Sequence, residues 1–179
     1  MKRAVPTLLA LLLGTAGAHP LDEVVQAAYL SLAPGKVLLE LNLSPGPLVA
    51  GKVLAALDPN ADGKVTSAEA STYARRVLAQ SALTVDGQTL TWTLDEVQVP
   101  GYQNLKTAGD SIKIYATAAR PDRTGAHTLS YVNRYAPAKS QPIANIFLLP
   151  GSGWTYGVTD QQHTSAGRGL SVNFQVGRS

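Results

Sequence analysis

Alternation of apolar and polar residues along four segments constrains the fold of this chain more than any other feature. The period is two residues, so successive side chains point to opposite faces of a strand, one face buried and one exposed. The four segments are residues 37–43, 89–94, 112–118 and 170–176. Further strands are expected at residues 127–135, 143–149 and 154–162. Many short strands without crossover helices predict an antiparallel β-sandwich.

Two turn sequences predict how neighbouring strands connect. Pro34-Gly35 is expected to join the first strand to the strand at residues 37–43. Asp86-Gly87 precedes residues 89–94 and is typical of a two-residue hairpin. Both turns therefore predict antiparallel pairs.

The hydrophobic period changes from strand to helix at about residues 46–80. An incoming helix is predicted from the apolar stripe Ala50, Val53, Leu54 and Leu57. An outgoing helix is predicted from the stripe Ala70, Tyr73, Ala74, Val77 and Leu78. Thr66 and Glu69 have the spacing of a capping box at its start. The predicted class is therefore mainly β, α+β, with a helix–loop–helix inserted in the sandwich.

Between the two predicted helices, residues 58–69 (DPNADGKVTSAE) offer oxygen donors at regular spacing. Calcium prefers six to eight oxygen ligands at about 2.3–2.6 Å, so a loop must curl round the ion. The expected donors are Asp58, Asn60, Asp62, the Lys64 carbonyl, Thr66 directly or through water, and Glu69. Gly63 allows the sharp turn between them. Glu69 cannot fully serve both the cap and the ion, and we expect it to favour the ion.

This helix–loop–helix resembles the EF-hand superfamily, which implies Ca²⁺ as the bound cofactor. A second resemblance concerns the order of segments along the chain: HPLDEVV from His19, then the loop, then LTVDGQTL, then the run from IANIFLLPGSGW to the end. That order is similar to the exported soluble domain of bacterial nickel/cobalt permeases of the hydrogenase- or urease-accessory type. It implies a domain that captures or senses nickel, cobalt or copper beside a membrane permease.

The first 18 residues have the pattern of a signal peptide. Lys2 and Arg3 precede the apolar run 8–13, and residues 16–18 (AGA) form a small-residue cleavage site. Later segments are too short for a bilayer, which needs about 18 apolar residues. The chain has no cysteine, so it forms no disulfide. We therefore expect one exported domain, residues 19–179, periplasmic or secreted and not inserted in the membrane after cleavage.

Charge and motif content argue against two function classes. Without Lys2 and Arg3, 13 basic residues face 12 acidic ones, and no basic cluster suits nucleic acid. The chain has no cysteine nucleophile, no G-x-S-x-G and no H-E-x-x-H. The adjacent acids at 22–23 and 95–96 are expected to point to opposite strand faces, not to act as an acid–base pair. An enzyme is not predicted.

His19 is a second candidate metal ligand. After cleavage its amino group and imidazole could chelate Cu(II) or Ni(II), which favour nitrogen donors. Pro20 has no N–H to add, so a third donor would come from His127 or His163 through the fold. Two functions stay open: a β-sandwich binding module stabilised by calcium, which presents a surface to a protein partner, and a transition-metal domain for a permease.

Overall fold

The computed structural model describes residues 21–164 and 167–179. The predicted signal peptide and His19 lie outside these residues. The strands of the described part are β1 Val24–Ala33, β2 Lys36–Pro45, β3 Ser81–Val85, β4 Gln88–Leu90, β5 Thr93–Gln98, β6 Ile112–Ala119, β7 Gly125–Asn133, β8 Ser140–Leu148, β9 Trp154–His163 and β10 Gly169–Arg178. The helices are α1 Ala50–Leu57, α2 Ser67–Leu78 and α3 Tyr102–Lys106.

The strands form two five-stranded sheets. Sheet I has the order β5-β6-β2-β1-β8, and sheet II has the order β4-β3-β7-β10-β9. The mainly-β α+β class is confirmed. Pairing is antiparallel except between β1 and β8, which run parallel. The parallel pair departs from the purely antiparallel prediction because β8 enters sheet I from β7 of sheet II, so no hairpin fixes its direction.

Both predicted turns join antiparallel pairs. Gly35 has φ 73°, and Ala33 lies opposite Lys36 across the first turn. Asp86 and Gly87 have φ 51° and 78°, the two positive values that a type I′ hairpin requires. The hairpin predictions are confirmed.

The single strand predicted at residues 89–94 is wrong. β4 ends at Leu90 in sheet II and β5 begins at Thr93 in sheet I, so the chain changes sheets between them. The indole N–H of Trp92 in that connection donates to the Ser81 carbonyl at 2.8 Å. The apolar–polar alternation continues across the break because Trp92, in the connection between the sheets, is half buried like Leu90 and Leu94.

A β-bulge in β5 overturns the expected divergence of Asp95 and Glu96. The register shifts between Leu94 and Glu96, which leaves Asp95 as the extra residue. Asp95 accepts a hydrogen bond from Thr117, and Glu96 lies opposite Tyr115. Thr117 and Tyr115 are two residues apart on β6, so both acids lie on the same face of sheet I.

The inner faces of the two sheets share one apolar core with the buried sides of the helices. β1, β2 and β6 contribute from sheet I, and β3, β7 and β10 from sheet II. The helices α1 and α2 lie between β2 and β3 in the chain, and the stripes predicted for them are buried. In the part of the chain described, no helix has the length and apolar character needed to cross a bilayer.

Candidate metal centre

The loop between α1 and α2 begins with a buried carboxylate. Asp58 follows the last residue of α1, and its backbone N–H donates to the Leu54 carbonyl at 2.8 Å. Asp58 is only 4% exposed. Leu57, the last residue of α1, is fully buried. Packing of this helix end against the core therefore also buries the next residue, Asp58.

Side-chain oxygens at alternate loop positions hold the backbone in a tight curl. Asp58 accepts from the N–H of Asp62 at 3.3 Å through Oδ1 and from the N–H of Gly63 at 3.0 Å through Oδ2. Asn60 Oδ1 also accepts from the Asp62 N–H, at 3.1 Å. Asp62 Oδ1 accepts from the Lys64 N–H at 2.9 Å. The three predicted donors at the start of the loop are therefore brought together round a turn.

Two residues in this curl have left-handed backbone conformations. Ala61 has φ 56° and Gly63 has φ 78°. A Cβ added to Gly63 would meet nothing within 4 Å. Glycine is therefore favoured at this position by its dihedral freedom and not by lack of space.

Glu69 lies on the helix cap instead of facing the loop. Its Oε2 accepts from the Thr66 N–H at 2.9 Å and from the Thr66 hydroxyl at 2.8 Å. The Glu69 N–H in turn donates to Thr66 Oγ1 at 3.3 Å. The predicted capping box is confirmed, and the expectation that Glu69 favours an ion over the cap stays a prediction.

With Glu69 on the cap, the loop acids do not form a closed ligand shell. Among residues 21–164 and 167–179, no three aspartate, glutamate or histidine side chains come close enough together to hold a metal ion. The donors nevertheless fit calcium in kind, since all of them are carboxylate, amide, carbonyl or hydroxyl oxygens.

In the part of the chain that the structure describes, Asp58 forms no ion pair with a basic side chain. The ion pairs of the described residues involve other acids: Asp22, Glu23, Asp86 and Asp122. Lys64 is exposed. Among the described residues, the groups that donate to the buried Asp58 carboxylate are the backbone N–H groups of Asp62 and Gly63.

A buried polar chain connects α2 to both sheets. The Tyr135 hydroxyl donates to the Tyr73 hydroxyl at 2.8 Å, and the two rings meet edge to face with centroids 5.9 Å apart. Burial raises the pKa of Tyr73 well above its ordinary value. The Tyr135 N–H donates to Asn133 Oδ1, and Asn133 Nδ2 donates to Gln26 Oε1 at 2.7 Å.

Sequence reasoning placed Tyr73 in the buried stripe of α2 but found none of its polar partners. They come from distant parts of the chain, 62 residues away in the case of Tyr135. No local spacing in the sequence signals such a pair.

His127 and His163, predicted as possible further metal ligands beside His19, already contact other groups of the protein. His127 Nδ1 lies 2.7 Å from Asp86 Oδ2, and its Nε2 lies 2.8 Å from the Arg123 carbonyl. His163 Nε2 lies 2.8 Å from the Ala144 carbonyl. A metal on His127 would displace one of these contacts, whereas the contact of His163 engages Nε2 and does not involve Nδ1.

Comparisons with known proteins assign no family or function to the chain. No protein-family model matches the chain, and no curated protein matches it. The two resemblances therefore stay predictions, and the loop itself carries the functional argument.

Proposed function

We propose that residues 58–69 bind one calcium ion and that the ion acts as a structural clip between α1 and α2. The observation that carries the proposal is the buried carboxylate of Asp58, 4% exposed and without a basic side chain beside it among the described residues. Buried charges in proteins are paired or coordinate metals. A cation at the first loop position would supply the missing charge.

The remaining donors would follow from the curl of the loop. The proposed ligand set is Asp58, Asn60, Asp62, the Lys64 carbonyl, Thr66 or a water it holds, and Glu69. Three carboxylates favour a divalent cation, and the oxygen-only chemistry favours calcium over softer metals.

Glu69 sets the affinity in this proposal because it must leave its cap. Its departure breaks the hydrogen bonds that its carboxylate accepts from the Thr66 N–H and hydroxyl, a cost of about 1 kcal/mol that is subtracted from the binding free energy. The loop also stands alone in the sequence, without a paired second loop. We therefore expect a dissociation constant on the order of 10⁻⁵–10⁻³ M, the range of extracellular modules and weaker sensors.

A clip is favoured over a switch by the packing of the helices. Leu57 at the end of α1 is fully buried, and Tyr73 in α2 is 1% exposed. Opening the helix pair would expose both side chains to water and break the tyrosine hydrogen bond. Calcium that only stiffens the loop meets no such cost.

The test is isothermal titration and thermal unfolding of the purified protein with Ca²⁺, repeated for Asp58→Asn. Asp160→Asn is the matched control, since Asp160 is an exposed acid on β9 of sheet II. We expect calcium heat and a raised melting temperature that Asp58→Asn loses and Asp160→Asn keeps. Absence of calcium heat at millimolar metal would contradict the proposal.

A nickel titration separates the calcium function from the transition-metal alternative. The proposed loop has no nitrogen or sulfur ligand, so Ni²⁺ should bind it weakly. Tight Ni²⁺ binding that survives Asp58→Asn would place the main metal site elsewhere and favour the permease-associated function predicted from the sequence.

A further inference from the structure

An open groove with aromatic and acidic walls lies on the outer face of sheet I. Its volume is about 460 Å³, within the range of ligand-binding clefts. Tyr29 of β1, Tyr115 of β6 and Phe147 of β8 supply the rings, and Glu40 of β2 and Asp95 of β5 supply the carboxylates. We refer to these five residues as the aromatic–acidic groove. It shares no residue with the proposed calcium loop.

Strand register fixes the alternation of rings and acids across this face. Glu40 lies opposite Tyr29 on one side and opposite Tyr115 on the other, and Tyr115 lies opposite Glu96. Residues opposite one another in neighbouring strands have Cβ atoms about 4.5–5.5 Å apart. A carboxylate therefore stands between two tyrosine rings, with a second carboxylate beyond the next ring.

The third ring extends the aromatic surface towards β8. The Tyr29 and Phe147 ring centroids are 6.3 Å apart, and the rings are tilted by 41°. Phe147 is 50% exposed although it is wholly apolar. Its ring is available to a ligand that approaches from solvent.

The acids of this face have only neutral hydrogen-bond donors. Glu40 accepts from Asn42 Nδ2 at 3.1 Å, and Asp95 accepts from the Thr117 hydroxyl at 2.6 Å. Glu96 accepts from Gln98 Nε2 at 2.8 Å. Within the described ranges, none of these three acids forms an ion pair.

Basic residues on the same face stand outside the groove. Register places Lys36 and Lys113 towards opposite ends of it, opposite Ala119 and Asn42 on the neighbouring strand. No lysine, arginine or histidine is among the groove's lining residues. The groove is therefore a negative, ring-lined surface, and its charge complement is a cation.

We propose that the aromatic–acidic groove binds a lysine or arginine side chain of a protein partner. Cations are attracted to the faces of aromatic rings, and carboxylates form ion pairs with the same cations. The groove is open along the sheet, and Ile143 of β8, which is 43% exposed, lies opposite Ala27, two residues before Tyr29 on the same face. An extended peptide segment that carries the basic residue would also cover the exposed Ile143, whereas a small free cation would leave the Ile143 side chain in water.

The experiment is an NMR titration of the ¹⁵N-labelled protein with Nα-acetyl-arginine amide. Nα-acetyl-citrulline amide is the matched probe, since it has nearly the same shape without the charge. We expect saturable amide shifts centred on β1, β2 and β6, with the neutral probe at least about threefold weaker. Raising the salt concentration should weaken arginine binding, because exposed charges are screened.

Two groove variants and one control locate the site. Glu40→Gln removes one charge at constant shape, and Phe147→Leu removes the exposed ring while keeping an apolar side chain; each should weaken arginine binding about threefold. Asp160→Asn on sheet II should leave it unchanged. Both groove positions are solvent-accessible, so the variants are expected to fold, and an unchanged ¹⁵N spectrum away from the groove checks this.

Three results would overturn the proposal. Absence of shifts at about 50 mM probe would exclude an arginine site of useful affinity. Equal binding of the citrulline probe would exclude charge recognition. Tetramethylammonium that binds as tightly as the arginine probe would replace the protein partner with a small organic cation.

Discussion

Glu69→Gln tests whether one side chain is divided between a helix cap and a calcium ion. Glutamine at the third helical position can still accept from the Thr66 N–H and hydroxyl, so the cap is kept. It offers the ion one neutral oxygen in place of two oxygens that share a negative charge. The variant should therefore lose metal binding while the metal-free protein stays nearly as stable as before.

The magnitude follows from linkage between binding and unfolding. At a calcium concentration of about 100 times the dissociation constant, the native protein gains about 2.7 kcal/mol. If the variant binds about 100-fold more weakly, the same concentration adds only about 0.4 kcal/mol. For a domain of this size these free energies correspond to melting shifts of about 5–11 °C and about 1–2 °C.

The assay is calorimetric unfolding of both proteins with EDTA and with calcium. Thr66→Ala is the complementary variant: it removes the hydroxyl from the cap, so the metal-free protein should lose about 1 kcal/mol. It also removes one proposed ligand position, which a water can fill, while Glu69 keeps both carboxylate oxygens for the ion. Calcium should then recover more stability in Thr66→Ala than in Glu69→Gln. An equal calcium shift in wild type and Glu69→Gln would refute the assignment of Glu69 as a ligand.

Three further predictions concern stability. Tyr135→Phe leaves the buried Tyr73 hydroxyl without its donor and should cost about 1–2 kcal/mol in urea unfolding; no change in midpoint would contradict the buried pair. Gly63→Ala places a methyl group at φ 78° and should cost about 1–2 kcal/mol in the same assay, whereas Gly51→Ala in α1 should be neutral or stabilising. The His127 hydrogen bond lowers the pKa of Asp86 below its ordinary 3.8. The ionised Asp86 therefore stabilises the folded protein above pH 3.8, and this stabilisation is lost as the pH falls through the lowered pKa. Asp86→Asn should therefore be less stable than wild type at pH 5, and a melting-temperature gap that fails to narrow below about pH 4 would contradict this linkage.

Local patterns were sufficient to predict most strands and both hairpin turns. Burial on one face imposes a period of two, and Asp86-Gly87 supplies the positive φ values of a tight hairpin. The break at Trp92, the bulge at Asp95 and the parallel pairing of β8 depend on which sheet a segment joins. That choice is made by contacts with distant residues, so no local period records it. The short helix α3 was missed for a related reason, since Leu105 is its one fully packed side chain.

The candidate metal site was predictable in its residues and not in its arrangement. Spacing alone predicts Asp58, Asn60 and Asp62 as donors because a curled backbone turns alternate side chains to one side, and whether they bind a metal stays a prediction. Spacing cannot decide the position of Glu69, because the same residue is the third position of a capping box and the last position of the loop. The structure has the cap, and only metal titration decides how readily the ion competes with it.

The position of Glu69 explains why a clip is the stronger mechanism. Glu69 lies in the first turn of α2, and Tyr73 lies one turn later, held by the Tyr135 hydroxyl. Movement of Glu69 from cap to ion rearranges the first turn, while the second turn stays fixed through Tyr135 to Asn133 and the sheets. Under the proposed function, binding energy would therefore be spent on closing the loop over the buried Asp58 and not on rotating the helix. A calcium ion in this loop would stabilise the junction of the helix pair and the sandwich without exposing a new surface.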